Sequence, residues 1–226
     1  MYIDSYYIIL VLPALLLSMY AQFKVNSTFN KFSKVMSTRG VTARDVARMI
    51  LDRHGLNYIP IEHISGNLSD HYDPKSKVVR LSDSVYNSSS IASIGVAAHE
   101  CGHAIQHATS YSPLNIRNMI FPVVNISSTL SMPLIILGFI MSYAPLVEIG
   151  IILFSAVVLF QIITLPVEFN ASRRALSILD ENGILVSNEL KSTKKVLSAA
   201  ALTYVAAAIV AIANLLRLIL VYRDRD

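Results

Sequence analysis

The hydrophobic positions gather into four long blocks separated by polar stretches. The first, roughly Tyr6 to Phe23 (YYIILVLPALLLSMYAQF), carries no charge and encloses Pro13. The second runs from about Met119 to Tyr143 and the third from about Leu146 to Pro166, with only Ala144-Pro145 between them. The fourth runs from about Val196 to Tyr222. A hydrocarbon core about 30 Å thick needs ~20 apolar residues in helix, so each block predicts a membrane span, the middle two as a tight hairpin. Asp4 precedes the first block and no basic residue does, which predicts an uncleaved anchor and not a signal peptide. Glu148 just past the hairpin turn and Arg217 near the end of the fourth block both fall where a charge can reach the interface.

The pattern changes between the first and second blocks. Val41 to Leu56 has apolar residues at helical spacing, with Thr42 as a candidate N-cap and Gly55 as a stop. Tyr58 to Ile64 alternates as a strand does, and Lys77 to Leu81 reads as a second, short strand. Between them His71-Tyr72-Asp73-Pro74-Lys75 carries turn chemistry. A Ser/Asn-rich stretch then leads into a helix from about Ser89 to Thr109. The expected fold is therefore mainly α, with four transmembrane helices and a small α+β domain. Its expected organisation is an anchor over 1–23, a cytoplasmic segment over 24–118, a transmembrane hairpin over 119–166, a cytoplasmic helix over 167–195, and a last span with its tail over 196–226.

Composition supports the membrane class: hydrophobic residues make up 54%, charged residues 15%, and the mean hydropathy is +0.52. The formal net charge of +4 invites a nucleic-acid reading, but the basic residues flank apolar blocks and form no single stripe, so no nucleic-acid partner is expected. They report orientation instead. Residues 22–118 hold eleven Lys and Arg, residues 167–196 hold five, and the N-terminal tail holds none. With two spans between them, both basic segments lie on one side, which the positive-inside rule makes the cytoplasm. A single cysteine, Cys101, excludes an internal disulfide and reads as a small packing residue.

The chemistry concentrates at His99-Glu100-Cys101-Gly102-His103, which matches H-E-x-x-H. On a helix, residues four apart lie about 40° and ~6 Å apart, so two imidazoles can converge on one tetrahedral zinc ion. Glu100, at the edge of that face, is placed to serve as general base for an attacking water. Such a site needs a third protein ligand. Glu168, directly after the third span, is one candidate, with a solvated interfacial carboxylate as the competing reading. His107 is the rival, but it lies a further turn along an unbroken helix; a role around the metal or against substrate suits it better than ligation, with an ordinary packed histidine as the competing reading. The motif sits in an apolar stretch flanked by polar ones, too short to cross a membrane, which argues against proteolysis within the bilayer.

His-Glu-Cys-Gly-His-Ala-Ile-Gln-His, taken with Pro-Val-Glu-Phe-Asn-Ala-Ser-Arg-Arg-Ala, resembles the YugP-type neutral zinc metallopeptidases of bacterial membranes. These are similar in plan to the HtpX and CAAX-protease zinc peptidases. The resemblance implies zinc held by His99, His103 and Glu168, with Glu100 as the base. It implies peptide or membrane-protein substrates reached from the cytoplasmic face of a multi-pass protein in the bacterial plasma membrane. The HtpX-like pattern has an aspartate four residues after the ligand glutamate; here that place is Ser172, and Asn170 or Asp73 are possible substitutes. Arg173, Arg174 and His107 are candidates to stabilise the oxyanion. A two-histidine, one-glutamate set also accepts cobalt or manganese. A catalytically silent zinc-binding membrane scaffold or chaperone is the alternative, and Glu100 is the residue that separates the two.

Overall fold

The computed structural model describes residues 4–224; residues 1–3 and 225–226, with Arg225, lie outside the described part. A π-helical opening, Tyr7–Val11, runs into α1 (Leu12–Phe32). Next come α2 (Ala43–Arg53), β1 (Ile61–Ile64), β2 (His71–Asp73), β3 (Val78–Ser82) and α3 (Ile91–Ala108). Three long helices finish the chain: α4 (Ser112–Met141), α5 (Ala144–Glu181) and α6 (Ser187–Arg223). Four helical stretches are long and apolar enough to cross a membrane: Tyr7–Phe32, Ser112–Met141, Ala144–Glu181 and Ser187–Arg223. Among the described residues the fold is thus mainly helical, with four candidate spans and one small sheet.

The chain divides into two compact units. One is built from the described parts of Met1–Gln22, Ser112–Pro166 and Leu202–Asp226. Many of its large apolar side chains are exposed, including Ile9, Met19, Met119, Ile140 and Ile152, as expected where lipid is the solvent. The turn between α4 and α5 falls at Ser142-Tyr143, and Ala144-Pro145 instead opens α5. Proline lacks an N–H, and the first turn of a helix is where that loss matters least. Gly138 and Gly150 let these two helices meet closely: a Cβ at Gly150 would lie 2.9 Å from the Ser131 carbonyl oxygen. Arg217 does not stand alone at the interface. Its Nε and Nη2 donate to Asp4 Oδ2 at 2.9 and 2.6 Å, and its guanidinium lies over the Tyr7 ring.

The second unit comprises Phe23–Tyr111 and Val167–Ala201. Its core gathers Ile50 and Leu51 from α2, Leu81 from β3, Ile91 and Ile94 from α3, and Leu179 from α5. Thr42 caps α2 by accepting from the Asp45 N–H, and Ser90 caps α3 by accepting from the Ser93 N–H. The sheet has the order β1-β3-β2, with β3 parallel to β1 and antiparallel to β2. The segment Lys77 to Leu81 contributes the central strand. β3 is central because Val78, Val79 and Leu81 are all buried.

One of the two edge strands, β2, lies in the segment read as a turn. Asp73 reconciles the two: it ends β2 while its Oδ1 accepts from the Lys75 and Ser76 N–H groups. Lys77, at φ 53°, then closes the reversal. Further along, α5 passes through Pro166 without a break. The interruption in the 167–195 segment falls later, at residues 182–186, where Gly183 takes φ 56°.

Candidate metal centre

α3 is buried along most of its circumference. From Ile91 to His107 its only partly exposed residues are Val96, His99, His103 and His107, spaced as one helical stripe. This stripe is the open face of the helix. Its opposite side packs on α2, where the buried Cys101 thiol lies 3.6 Å from the Ala47 carbonyl oxygen. Burial holds that thiol well above its ordinary pKa, so Cys101 is a packing residue.

α5 crosses α3 at the motif. Gly102 permits the approach, since a Cβ there would lie 2.8 Å from the Ala171 carbonyl oxygen. Glu168, one turn before Ala171, thereby reaches the histidine pair. The two Nε2 atoms are 3.1 Å apart, and Glu168 Oε2 lies 3.3 Å from that of His99 and 3.4 Å from that of His103. One ligand atom from each residue falls within 4.8 Å of the other two, so the three can hold a metal ion. Donors about 2.0–2.1 Å from a tetrahedral zinc ion stand about 3.3 Å from one another, close to the observed triangle. Two imidazoles and a carboxylate are also the donor types that zinc accepts.

The charges around the triangle favour a cation. Burial opposes a charged His103, yet the Glu168 and Glu100 carboxylates outweigh it and hold the imidazole above its ordinary pKa. Nearby, burial pushes the Asp70 carboxyl up; the Ser82 N–H and hydroxyl bonded to it pull the other way, and Glu100 adds to the rise.

The outer nitrogens of both histidines are engaged. Ser172, at the place where the HtpX-like pattern has an aspartate, puts its Oγ 3.1 Å from His99 Nδ1. Gln106 Oε1 stands 3.0 Å from His103 Nδ1. The Gln106 amide in turn donates to the Val167 carbonyl at 2.8 Å and to Asn170 Oδ1 at 3.0 Å. Arg174 Nε donates to the same Asn170 oxygen at 2.8 Å, and its guanidinium lies over the Tyr111 ring. Asn170 therefore supports His103 through Gln106, and Arg174 is committed to that support. Arg173 is exposed. Asp73 is held away by Arg80, whose Nη1 donates to it at 2.9 Å.

Glu100 is buried, and its Oε2 accepts from the backbone N–H of Tyr72 on β2 at 2.9 Å. The Tyr72 hydroxyl reaches His107 Nδ1 at 2.9 Å. Sequence reading singled out neither Gln106 nor Tyr72 for a role. Gln106 carried a signal in its place on α3, three residues after His103 and on the buried side. Tyr72 carried none, because only tertiary folding brings β2 onto α3.

A mainly helical protein whose described residues include four candidate spans and a partly buried two-histidine, one-carboxylate cluster beside a further glutamate belongs to the class of membrane proteins with a cluster able to hold a metal ion. Residues 7–223 match the family described as "Putative neutral zinc metallopeptidase", and the chain belongs to that family. It is 52% identical over 216 residues to the "Putative membrane protease YugP" of Bacillus subtilis (strain 168), with 96% of each chain covered. No solved structure matches.

Proposed function

We propose that this protein is a multi-pass membrane zinc endopeptidase, with its site on the cytoplasmic side of a bacterial plasma membrane and peptides or membrane proteins as substrates. The observation that carries the proposal is the triangle of His99, His103 and Glu168 donors, with edges of 3.1, 3.3 and 3.4 Å. His99, His103 and Glu168 are the residues that would hold the ion. Zinc bound there supplies a Lewis acid that activates water and polarises a peptide carbonyl.

Glu100 follows His99 in the chain and is not one of the three donors. Its carboxylate is free of ligand duty and takes the proton of the attacking water, then returns it to the leaving amine. The Tyr72 N–H holds that carboxylate in place. Ser172 and Gln106 orient the two imidazoles so that each presents Nε2 to the same point. The cytoplasmic assignment rests on the excess of Lys and Arg in residues 22–118 and 167–196.

The test uses the full-length protein in detergent. Wild type is expected to bind one equivalent of zinc and cleave an unfolded protein substrate. His103→Ala is expected to lose both properties, whereas Glu100→Gln keeps the metal and loses cleavage. Unchanged zinc content in His103→Ala would remove the site. Unchanged cleavage in Glu100→Gln would remove the base and favour a scaffold whose zinc is only structural.

A further inference from the structure

We propose that Tyr72 is a positioning residue for the peptidase reaction: its phenol holds His107 in the tautomer that carries a proton on Nε2, ready to donate to a substrate carbonyl. The inference rests on the proposed peptidase reading and adds to it a residue from outside the metal helix.

Three observations meet at Tyr72. First, its backbone N–H donates to Glu100 Oε2, and its hydroxyl lies 2.9 Å from His107 Nδ1. Glu100, His103 and His107 follow one another at spacings of three and four along α3, so they share a side of the helix. Tyr72 therefore bridges Glu100 and His107 along α3, with its ring tilted against that of His107 at 5.9 Å between centroids. Second, His107 lies on the open stripe of α3 with His99 and His103 and is partly exposed. Among the described residues, no group bonds its Nε2. Third, burial pushes the Tyr72 phenol up to about 12, so the hydroxyl keeps its proton at neutral pH.

The direction of this hydrogen bond sets the tautomer. In the proposed arrangement the phenol donates its one proton to His107 Nδ1, its partner among the described residues. Once Nδ1 accepts, the neutral imidazole must carry its proton on Nε2. The nitrogen facing away from Tyr72 is then a donor. A donor one turn along α3 from His103 suits a carbonyl oxygen of a bound peptide, where developing negative charge makes its bond strongest in the transition state. Without the phenol, the ring is free to adopt the other tautomer and present a lone pair, which repels the same oxygen.

The test is a double-mutant cycle in the full-length zinc-loaded protein with Tyr72→Phe, His107→Asn and the pair. Removing a donor of this kind costs about 10²–10³ in kcat. The expected loss for Tyr72→Phe is smaller, roughly 10- to 100-fold and in kcat, with KM and zinc content unchanged. In the His107→Asn background, Tyr72→Phe is expected to add almost nothing. An equal further loss in that background, or a Tyr72→Phe effect confined to KM, would overturn the proposal.

A second readout does not need activity. In 15N-histidine-labelled protein, the His107 ring shifts should report protonated Nε2 in wild type and a mixture of tautomers in Tyr72→Phe. A His107 ring with its proton on Nδ1 in wild type would overturn the proposal. If wild type proved inactive on every peptide tried, the peptidase reading would fail while the ring shifts still settled the tautomer.

Discussion

The α-carbon of Gly102 faces the backbone of Ala171 so closely that a Cβ at 102 would stand 2.8 Å from the Ala171 carbonyl oxygen. This contact sets the distance between the helix that carries the two histidines and the helix that carries Glu168. Gly102→Ala must push α5 outward, because backbone cannot turn aside as a side chain does. Overpacking of this kind typically costs about 1–3 kcal/mol. Zinc affinity is expected to fall more sharply than stability, because the donor triangle tolerates little displacement. Zinc titration alongside thermal unfolding in detergent checks this; wild-type affinity in Gly102→Ala would mean that the contact does not set the metal geometry.

Gln106 joins both helices of the centre by side-chain bonds. Gln106→Leu keeps the volume roughly constant but removes the acceptor at His103 Nδ1 and the donor to Val167 and Asn170. Loss of such support around a metal histidine typically weakens affinity about 10- to 100-fold. Ser172→Ala removes a single bond to His99 and is expected to cost less. Competition against a chelator of known affinity ranks the two, and a larger effect from Ser172→Ala would reverse the assignment.

The site was legible in the sequence only where its residues are local or punctuate an element. His99, Glu100 and His103 follow one helical register and could be located without a fold, whereas Glu168, at the end of an apolar block, was one candidate that only the family resemblance singled out. Thr42 announced its helix start by chemistry that acts within four residues. β2 stayed hidden because three residues cannot display alternation, and Asp73 displayed its turn chemistry instead. Pro166 suggested a helix end, but α5 continues through it, and the break comes at Gly183. Tyr72 and Gln106 were illegible for a different reason: each acts across a contact between elements distant in sequence. A hydrogen bond between Tyr72 and His107, 35 positions apart, leaves no periodic trace.

The Asp73–Arg80 pair pins the edge strand to the central one, and its pH dependence has a definite sign. The Arg80 guanidinium, helped by Ser76, holds the Asp73 carboxyl well below the usual carboxylate range. A depressed folded-state pKa stabilises the fold above the unfolded value of about 3.9, and the contribution fades as pH falls toward the folded value. Asp73→Asn is therefore expected to lower the melting temperature at pH 7, with the gap narrowing below about pH 4. Both proteins are compared with excess chelator, so that acid release of metal does not enter. A gap that widens in acid would contradict the pairing.

Cys101 makes the membrane orientation open to a direct test. Its thiol is buried, and burial raises its pKa, so little reactive thiolate forms at neutral pH. The native chain should resist maleimide while folded, and a cysteine introduced on the surface should then give the whole signal. Lys75 and Lys194 are both exposed, and the α4 and α5 spans separate them in sequence. The positive-inside expectation is that Lys75→Cys and Lys194→Cys both resist a membrane-impermeant maleimide in intact cells and both react once the membrane is opened. Labelling of both in intact cells would place the metal site on the outer face and leave the fold intact. Labelling of one alone would be more damaging, because an even number of crossings must return the chain to the side it left.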